Sequence, residues 1–352
     1  MAERAEPAGA KFTTYEKIAE TPTQWGLDEA ALRRLERAPW VVTEKIHGAN
    51  FCFLVDEGGV RCAKRKALLE PGEDFFGHRA VLRRLEGRLR ALFAACRGAR
   101  PGLATLFVYG ELFGGSYPHP LVAPVAGAEP VQTGVHYAPD VEFCAFDLGY
   151  ATADPAAPRD YFDYDAALAH AAAAGVPIAE PLFRGGYAEA MAYPERFEST
   201  LPRRLGLPPL PAGNLAEGVV IKPAPAVWLE TPKGRVRPVV KKKIAEFAED
   251  ARFHGAVKRP PPRPTGVPAL DRLEWEMLAL VTPARVDSAV SKLGRPRDAA
   301  ARARLVDESV ADVWASLETN EGAALGALSG DEGALLRSLL REAAEGAAGA
   351  TS

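Results

Sequence analysis

Cysteine is scarce in this sequence: four residues (Cys52, Cys62, Cys96 and Cys144) are scattered through 352 positions, with no CxxC pair. That spacing offers no structural zinc site and points to reduced thiols inside a cell, so a cytoplasmic location is expected. No apolar stretch approaches the roughly 20 residues of a membrane span. The first residues hold no apolar segment of the kind a secretory signal requires, so no membrane partner is expected. A strong net charge is missing too, because 43 basic and 46 acidic residues leave only −3. The near-balance hides a local strip. From Thr231 to Arg263 ten basic residues stand against three acids, a net +7 that suits a polyanionic partner.

What is present is a globular composition, 47% hydrophobic and 25% charged, with length enough for two domains. VVTEKI, FCFLV and VRCAK (residues 41–64) alternate as strands, with a turn at Glu57-Gly58-Gly59. Val81, Leu82, Leu85, Leu89, Leu92 and Phe93 recur at helical spacing up to Gly98 and Pro101. TLFVYGEL, VEFCAFDL and AEGVVIKP read as buried strands, the alanine-rich stretch 164–174 as a surface helix, and VRPVVKKKI as a last strand. KRPPPRPTGVP (258–268) reads as an extended linker. Beyond it the pattern is helical, with Thr282-Pro283 as an N-cap and first-turn pair. The expected organisation is a domain over 1–257, a proline-rich linker over 258–268 and a small helical domain over 269–352.

The chemistry concentrates at strand ends. Lys45 closes an apolar strand and is followed by a Gly turn in Thr43-Glu44-Lys45-Ile46-His47-Gly48-Ala49-Asn50. Burying an ammonium there costs several kcal/mol unless something compensates. VYGELFGG puts Glu111 at the mouth of another strand, VEFCAFDLGY puts Phe146 and Asp147 there, LAEGVVIKP puts Glu217 ahead of Lys222, and VVKKKI ends on Lys241, Lys242 and Lys243. Carboxylates, cations and a ring at the mouths of neighbouring strands suit a nucleotide pocket. Strand alternation puts Lys241 and Lys243 on one face and Lys242 on the other.

In order and spacing these segments resemble the covalent nucleotidyltransferase superfamily of ATP-dependent ligases and capping enzymes. More narrowly they resemble the T4 RNA ligase 2-like family, where His47 stands at the third position of KxHG and the DNA ligases carry Asp. EKIHGANF matches the first motif, and Lys241, Lys243, Phe247 and Glu249 match the last, KxKxxxFxE. The resemblance covers roughly residues 38–250.

It implies an α+β fold: a nucleotidyltransferase (ATP-grasp-like ligase adenylation) domain of antiparallel sheets flanked by helices, then a small all-α domain. It implies an RNA ligase (ATP) that joins 3′-OH and 5′-phosphate ends through a lysyl-AMP and an RNA-adenylate in RNA repair. Lys45 is then the nucleophile, with His47, Lys241 and Lys243 as catalytic partners. An amine attacks only when neutral, and neighbouring cations and desolvation favour that form. ATP would be bound by Glu44, Asn50, Arg65, Glu111 (ribose), Phe146 (adenine), Glu217, Lys241 and Lys243. Mg²⁺ or Mn²⁺ would sit on Glu217, and RNA would meet Arg65, Asp147 and Lys242. His119 reads as structural or at the rim. The basic residues crowded into 285–304 could form a phosphate-facing side of the helical domain. Nicked duplex RNA is the expected substrate and a monomer the expected state. The rival readings are a nucleotide- or RNA-binding protein with altered catalysis and a DNA ligase-like enzyme.

Overall fold

A computed structural model of the chain describes residues 12–154, 156–211, 213–231, 234–247 and 267–350. Most of the expected linker therefore lies outside the described residues, as do Glu249 and the basic residues Lys233, Arg252, Lys258, Arg259 and Arg263. The chain divides into two compact units, with the break between Lys243 and Ile244.

In the first unit, strands β1 (Trp40–Glu44), β2 (Ala49–Asp56), β3 (Gly59–Lys64) and β4 (Ala67–Leu68) are followed by β5 (Leu103–Gly114), β6 (Val141–Thr152) and β7 (Asp160–Tyr161). Then come β8 (Pro181–Gly185), β9 (Gly218–Pro223), β10 (Leu229–Thr231), β11 (Gly234–Val236) and β12 (Val240–Lys243). Its helices are α1 (Glu29–Glu36), α2 (His78–Ala99), α3 (Tyr164–Ala174), α4 (Tyr187–Met191) and α5 (Leu201–Arg204). Two larger antiparallel sheets result, ordered β12-β9-β1-β8 and β4-β3-β2-β5-β6-β7, with β10-β11 as a separate hairpin. The chain leaves one large sheet at Glu44 and enters the other at Ala49, so the KIHG turn is the crossing between them.

Each sheet folds because its strands alternate inward apolar residues. In the larger sheet Phe51, Phe53 and Val55 face a core closed by Val81, Leu85, Leu89 and Leu92 of α2, all buried. Fully burying one such side chain contributes about 1.5–3 kcal/mol. On the other face Cys52, Leu54, Phe107 and Tyr109 pack with Tyr15 and Tyr161. Trp40, Val42, Val219, Ile221 and Val240 make the core of the smaller sheet. The four cysteines are free thiols.

VRPVVKKKI is not one strand. It splits into β11 and β12 around Arg237-Pro238-Val239, because proline has no amide proton for a ladder and Arg237 turns its side chain inward. Strand β8, which pairs with β1, went unanticipated.

The second unit is helical: α6 (Pro268–Leu280), α7 (Pro283–Leu293), α8 (Ala299–Gly326) and α9 (Gly330–Ala350). Leu273, Met277, Val313, Leu317, Leu336 and Leu340 form its core. The Thr282 hydroxyl accepts from the Arg285 amide as the N-cap of α7. The fold class is therefore α+β. No helix among the described residues is long and apolar enough to cross a membrane.

Candidate active site

β1 and β9 pair antiparallel with Glu44 opposite Val219, and the Lys45 amide continues the ladder to the Gly218 carbonyl at 2.9 Å. That register sets the Lys45 side chain against the residue just before β9, Glu217. Lys45 Nζ lies 2.7 Å from Glu217 Oε2, and His47 Nδ1 lies 3.3 Å from the same oxygen. Lys243 Nζ stands 3.1 Å from Oε1. Burial alone would raise the Glu217 carboxyl, but Lys45, His47 and Lys243 together hold it well below the usual carboxylate range.

Two glycines permit this closeness. A Cβ on Gly48 would lie 2.2 Å from the Leu112 carbonyl oxygen. Gly218 has φ +148°, and a Cβ there would lie 1.9 Å from the Lys242 oxygen.

Glu111 sits opposite Asn50 across β2 and β5, and Asn50 Nδ2 donates to Oε1 over 3.5 Å. Its Oε2 is shielded from solvent and accepts no hydrogen bond from any described residue. Burial first, and then the charge of Glu217, push Glu111 up to about 7, against the lowering effects of Lys45, Asn50 and Arg65. Of the basic trio 64–66, Lys64 pairs with Glu73, whereas Arg65 reaches the field of Glu111. Among the described residues no three His, Cys, Asp or Glu side chains form a metal cage. Magnesium is commonly held by one or two carboxylates together with nucleotide phosphate and water. Glu217, with the carboxyl of Glu111 close enough to feel its charge, fits that pattern.

Phe146 is half-buried and meets Tyr15 edge-on, with ring centroids 4.9 Å apart. It occupies the irregular step where Tyr109 faces Asp147 and Gly110 faces Ala145, so it is the extra residue of a bulge. Phe143 instead packs in the core against Phe53.

Several expected residues are placed elsewhere. Glu44 is 6% exposed, and its oxygens accept from Ser199 Oγ (2.6 Å), Thr200 N (2.8 Å) and Thr200 Oγ1 (2.7 Å). Its carboxylate is therefore spent on the 199–200 turn, not offered to a nucleotide. Asp147 is 1% exposed and is bound by Arg237 (2.8 Å), Lys222 (3.2 Å) and the Tyr15 hydroxyl (2.7 Å). Buried and saturated, it is not available to a polyanion as the RNA reading requires. Although burial opposes ionisation, Arg237 and Lys222 hold its carboxyl at about 2. Lys242 lies on the opposite face from its two neighbours but donates to the Met191 carbonyl. Lys241, on the face of Lys243, pairs with Glu20 at 3.2 Å and not with Glu217. His119 Nδ1 accepts from the Leu121 amide within its own loop.

In the helical unit Arg285 is bound to Asp312 (2.8 Å) and Ser316 (2.9 Å), and Lys292 to Glu308 (3.2 Å). These two do not join a phosphate-facing side, because the bundle's own acids neutralise them. Arg295, Arg297, Arg302 and Arg304 are exposed.

Tyr15, Tyr137, Lys222 and Arg237 were missed as site residues. Lys222 had one readable signal, a lysine inside an apolar strand. Tyr15 and Tyr137 lie in irregular segments with no periodic pattern to mark them.

A Trypanosoma brucei brucei mitochondrial RNA-editing ligase 1 is 30% identical over 263 residues, 68% of this chain and 56% of that protein. RNA-editing ligase 2 from the same organism is 34% identical over 203 residues, 52% of this chain and 48% of its own length. The chain thus spans about half the length of these curated relatives. A Naegleria gruberi RNA ligase solved with AMP and manganese gives a TM-score of 0.43 at 12% identity, over 72% of this chain and 60% of that one. An archaeal ATP-dependent RNA ligase gives 0.38 at 16%, over 89% and 67%. The sequence model of the RNA ligase family matches residues 38–243, which include both sheets and every side chain gathered around Glu217. This chain belongs to the RNA ligase family.

Proposed function

We propose that the chain is an ATP-dependent RNA ligase that joins a 3′-hydroxyl to a 5′-phosphate and works through AMP carried on Lys45. The observation that carries this reading is the grouping of Lys45, His47 and Lys243 on the single buried carboxylate of Glu217. Two lysines and a histidine on one buried carboxylate are more basic groups than its charge requires, which supports a site that handles phosphate charge.

In the first step the neutral Lys45 amine attacks the α-phosphorus of ATP, forming a P–N bond and breaking the bond to the β-phosphate bridge. Pyrophosphate leaves, and the lysine nitrogen gives up its proton. The AMP next passes to an RNA 5′-phosphate: the P–N bond breaks and a phosphoanhydride forms. An RNA 3′-hydroxyl then attacks that 5′-phosphate and releases AMP. Lys243 stabilises charge on the α-phosphate, and Lys241 can join it by leaving Glu20. Glu111 Oε2, which accepts no hydrogen bond from any described residue, accepts from a ribose hydroxyl, and Phe146 presents its ring to adenine. Glu217, with Glu111 nearby, would hold a Mg²⁺ or Mn²⁺, which would supply Lewis-acid charge to the phosphates. Nicked duplex RNA, a role in RNA repair and action as a monomer are part of the same proposal.

Intact mass after incubation with ATP and Mg²⁺ tests it, on protein first treated with pyrophosphate to strip any AMP. The wild type should gain one AMP and Lys45→Ala none. A wild type that gains nothing would shift the reading to a nucleotide- or RNA-binding protein.

A further inference from the structure

The nucleophile turn is held from outside by a loop that belongs to neither of its strands. Tyr137, 1% exposed, lies in the long connection between β5 and β6, and its hydroxyl accepts the His47 amide proton at 2.9 Å. Gln132, from the same connection, donates to the Gly48 carbonyl at 3.4 Å. The Tyr137 ring is fixed edge-on against Phe113, two residues beyond Glu111, with centroids 5.3 Å apart. Burial, with the nearby charges of Glu44, Glu217 and Glu111, raises its phenol well above the usual range, so it stays a neutral anchor.

Behind Tyr137 stands Asn214. Its side-chain amide makes two bonds to one backbone unit: Oδ1 accepts the His136 amide at 2.9 Å and Nδ2 donates to the His136 carbonyl at 2.6 Å. The backbone of Asn214 accepts from the Ser199 amide at 2.9 Å, and Ala216 donates to Phe197 at 3.0 Å. That short pairing leads into Glu217 on one strand and into the Ser199-Thr200 clamp on Glu44 on the other. A hydrogen-bonded ring therefore runs from Glu44 through Ser199, Asn214, His136 and Tyr137 to His47. It encloses Lys45 and holds the residues on both sides of it.

We infer that Tyr137, braced by Asn214, is a positioning residue for the attack of Lys45 on ATP, an inference that rests on the proposed lysyl-AMP chemistry. Strand pairing fixes Lys45 on its amino-terminal side, at the Gly218 carbonyl, and pairing resumes at Ala49, opposite Leu112 in the other sheet. Between those two points the Tyr137 hydroxyl holds the His47 amide. Misplacing a nucleophile by a fraction of an ångström costs rate without weakening nucleotide binding.

The test is Tyr137→Phe, which removes one oxygen and keeps the ring. Two reactions are followed: transfer of AMP from ATP to the protein at saturating ATP, and sealing of an RNA strand that already carries AMP on its 5′-phosphate. The second reaction uses the same fold but not the lysine nucleophile. Lys-AMP formation should slow by about tenfold, equivalent to about 1.4 kcal/mol, with half-saturating ATP unchanged and sealing kept within about twofold. Asn214→Ala should slow the same step by a smaller factor. Adenylylation within about twofold of wild type, or equal losses in both reactions, would overturn the assignment. A wild type that takes up no AMP would instead overturn the ligase reading, so the two failures are distinguishable.

Discussion

Glu111 and Glu217 are neighbouring carboxylates pushed in opposite directions. Three basic side chains keep Glu217 ionised, whereas burial and the charge of Glu217 push Glu111 up to about 7. Carboxylates whose environments drive them apart are suited to different tasks. Glu217 offers a fixed negative charge to cations. Glu111 retains an oxygen that accepts no hydrogen bond from any described residue.

This difference predicts a pH effect on stability. The folded chain protonates Glu111 at about 7, whereas an unfolded glutamate titrates near ~4.3. Between those values the folded state binds more protons than the unfolded one, so the Glu111 contribution falls as pH rises. Glu111→Gln should flatten that fall and melt above the wild type at alkaline pH. Melting temperatures measured across that interval check it, and parallel curves for the two proteins would refute it.

The three lysines of β12 should not be equivalent. Lys243 touches Glu217, Lys241 touches Glu20 and Lys242 donates to Met191. Lys243→Ala should slow AMP transfer by about 100-fold, the scale of losing one electrostatic contact to a transition state. Lys242→Ala should stay within about threefold of wild type. Single-turnover adenylylation separates them, and equal losses would mean the face assignment is wrong.

Asp147 should matter to stability before it matters to substrate. Removing it as Asp147→Ala leaves Arg237 and Lys222 buried without their shared carboxylate. Breaking a buried ion pair in this way costs about 3–5 kcal/mol. Urea unfolding checks it. A loss under about 1 kcal/mol would place the group in a wetter setting than its burial indicates.

Gly218→Ala should damage the site through the backbone. The added methyl would meet the Lys242 carbonyl at 1.9 Å in a region of φ that side chains avoid. The β9–β12 pairing that holds Lys243 over Glu217 would have to open. A lowered melting temperature together with lost AMP transfer is expected. A fully active, equally stable variant would show that the pairing is dispensable.

Much of the site was legible in the sequence because its residues sit at the ends of strands with clear apolar alternation. Lys45, Glu111, Glu217 and Lys243 each interrupt such a pattern with a charge, and the alternation alone separated Lys242 from its neighbours. The helical unit was readable for a related reason, since the Thr282-Pro283 cap is a local signal. Roles that depend on a partner distant in sequence were not readable. Glu44 adjoins Lys45, yet its carboxylate is consumed by a turn 155 residues further on. Asp147 stands at a strand mouth, yet Arg237 and Lys222 enclose it. Tyr137 lies in an irregular loop, where no periodicity marks a buried side chain. Local order along the chain determined which residues could do chemistry. Only the crossing of the two sheets decided which of them meet, because the hydrogen bonds and ion pairs that assign their roles join residues with no local relation in sequence.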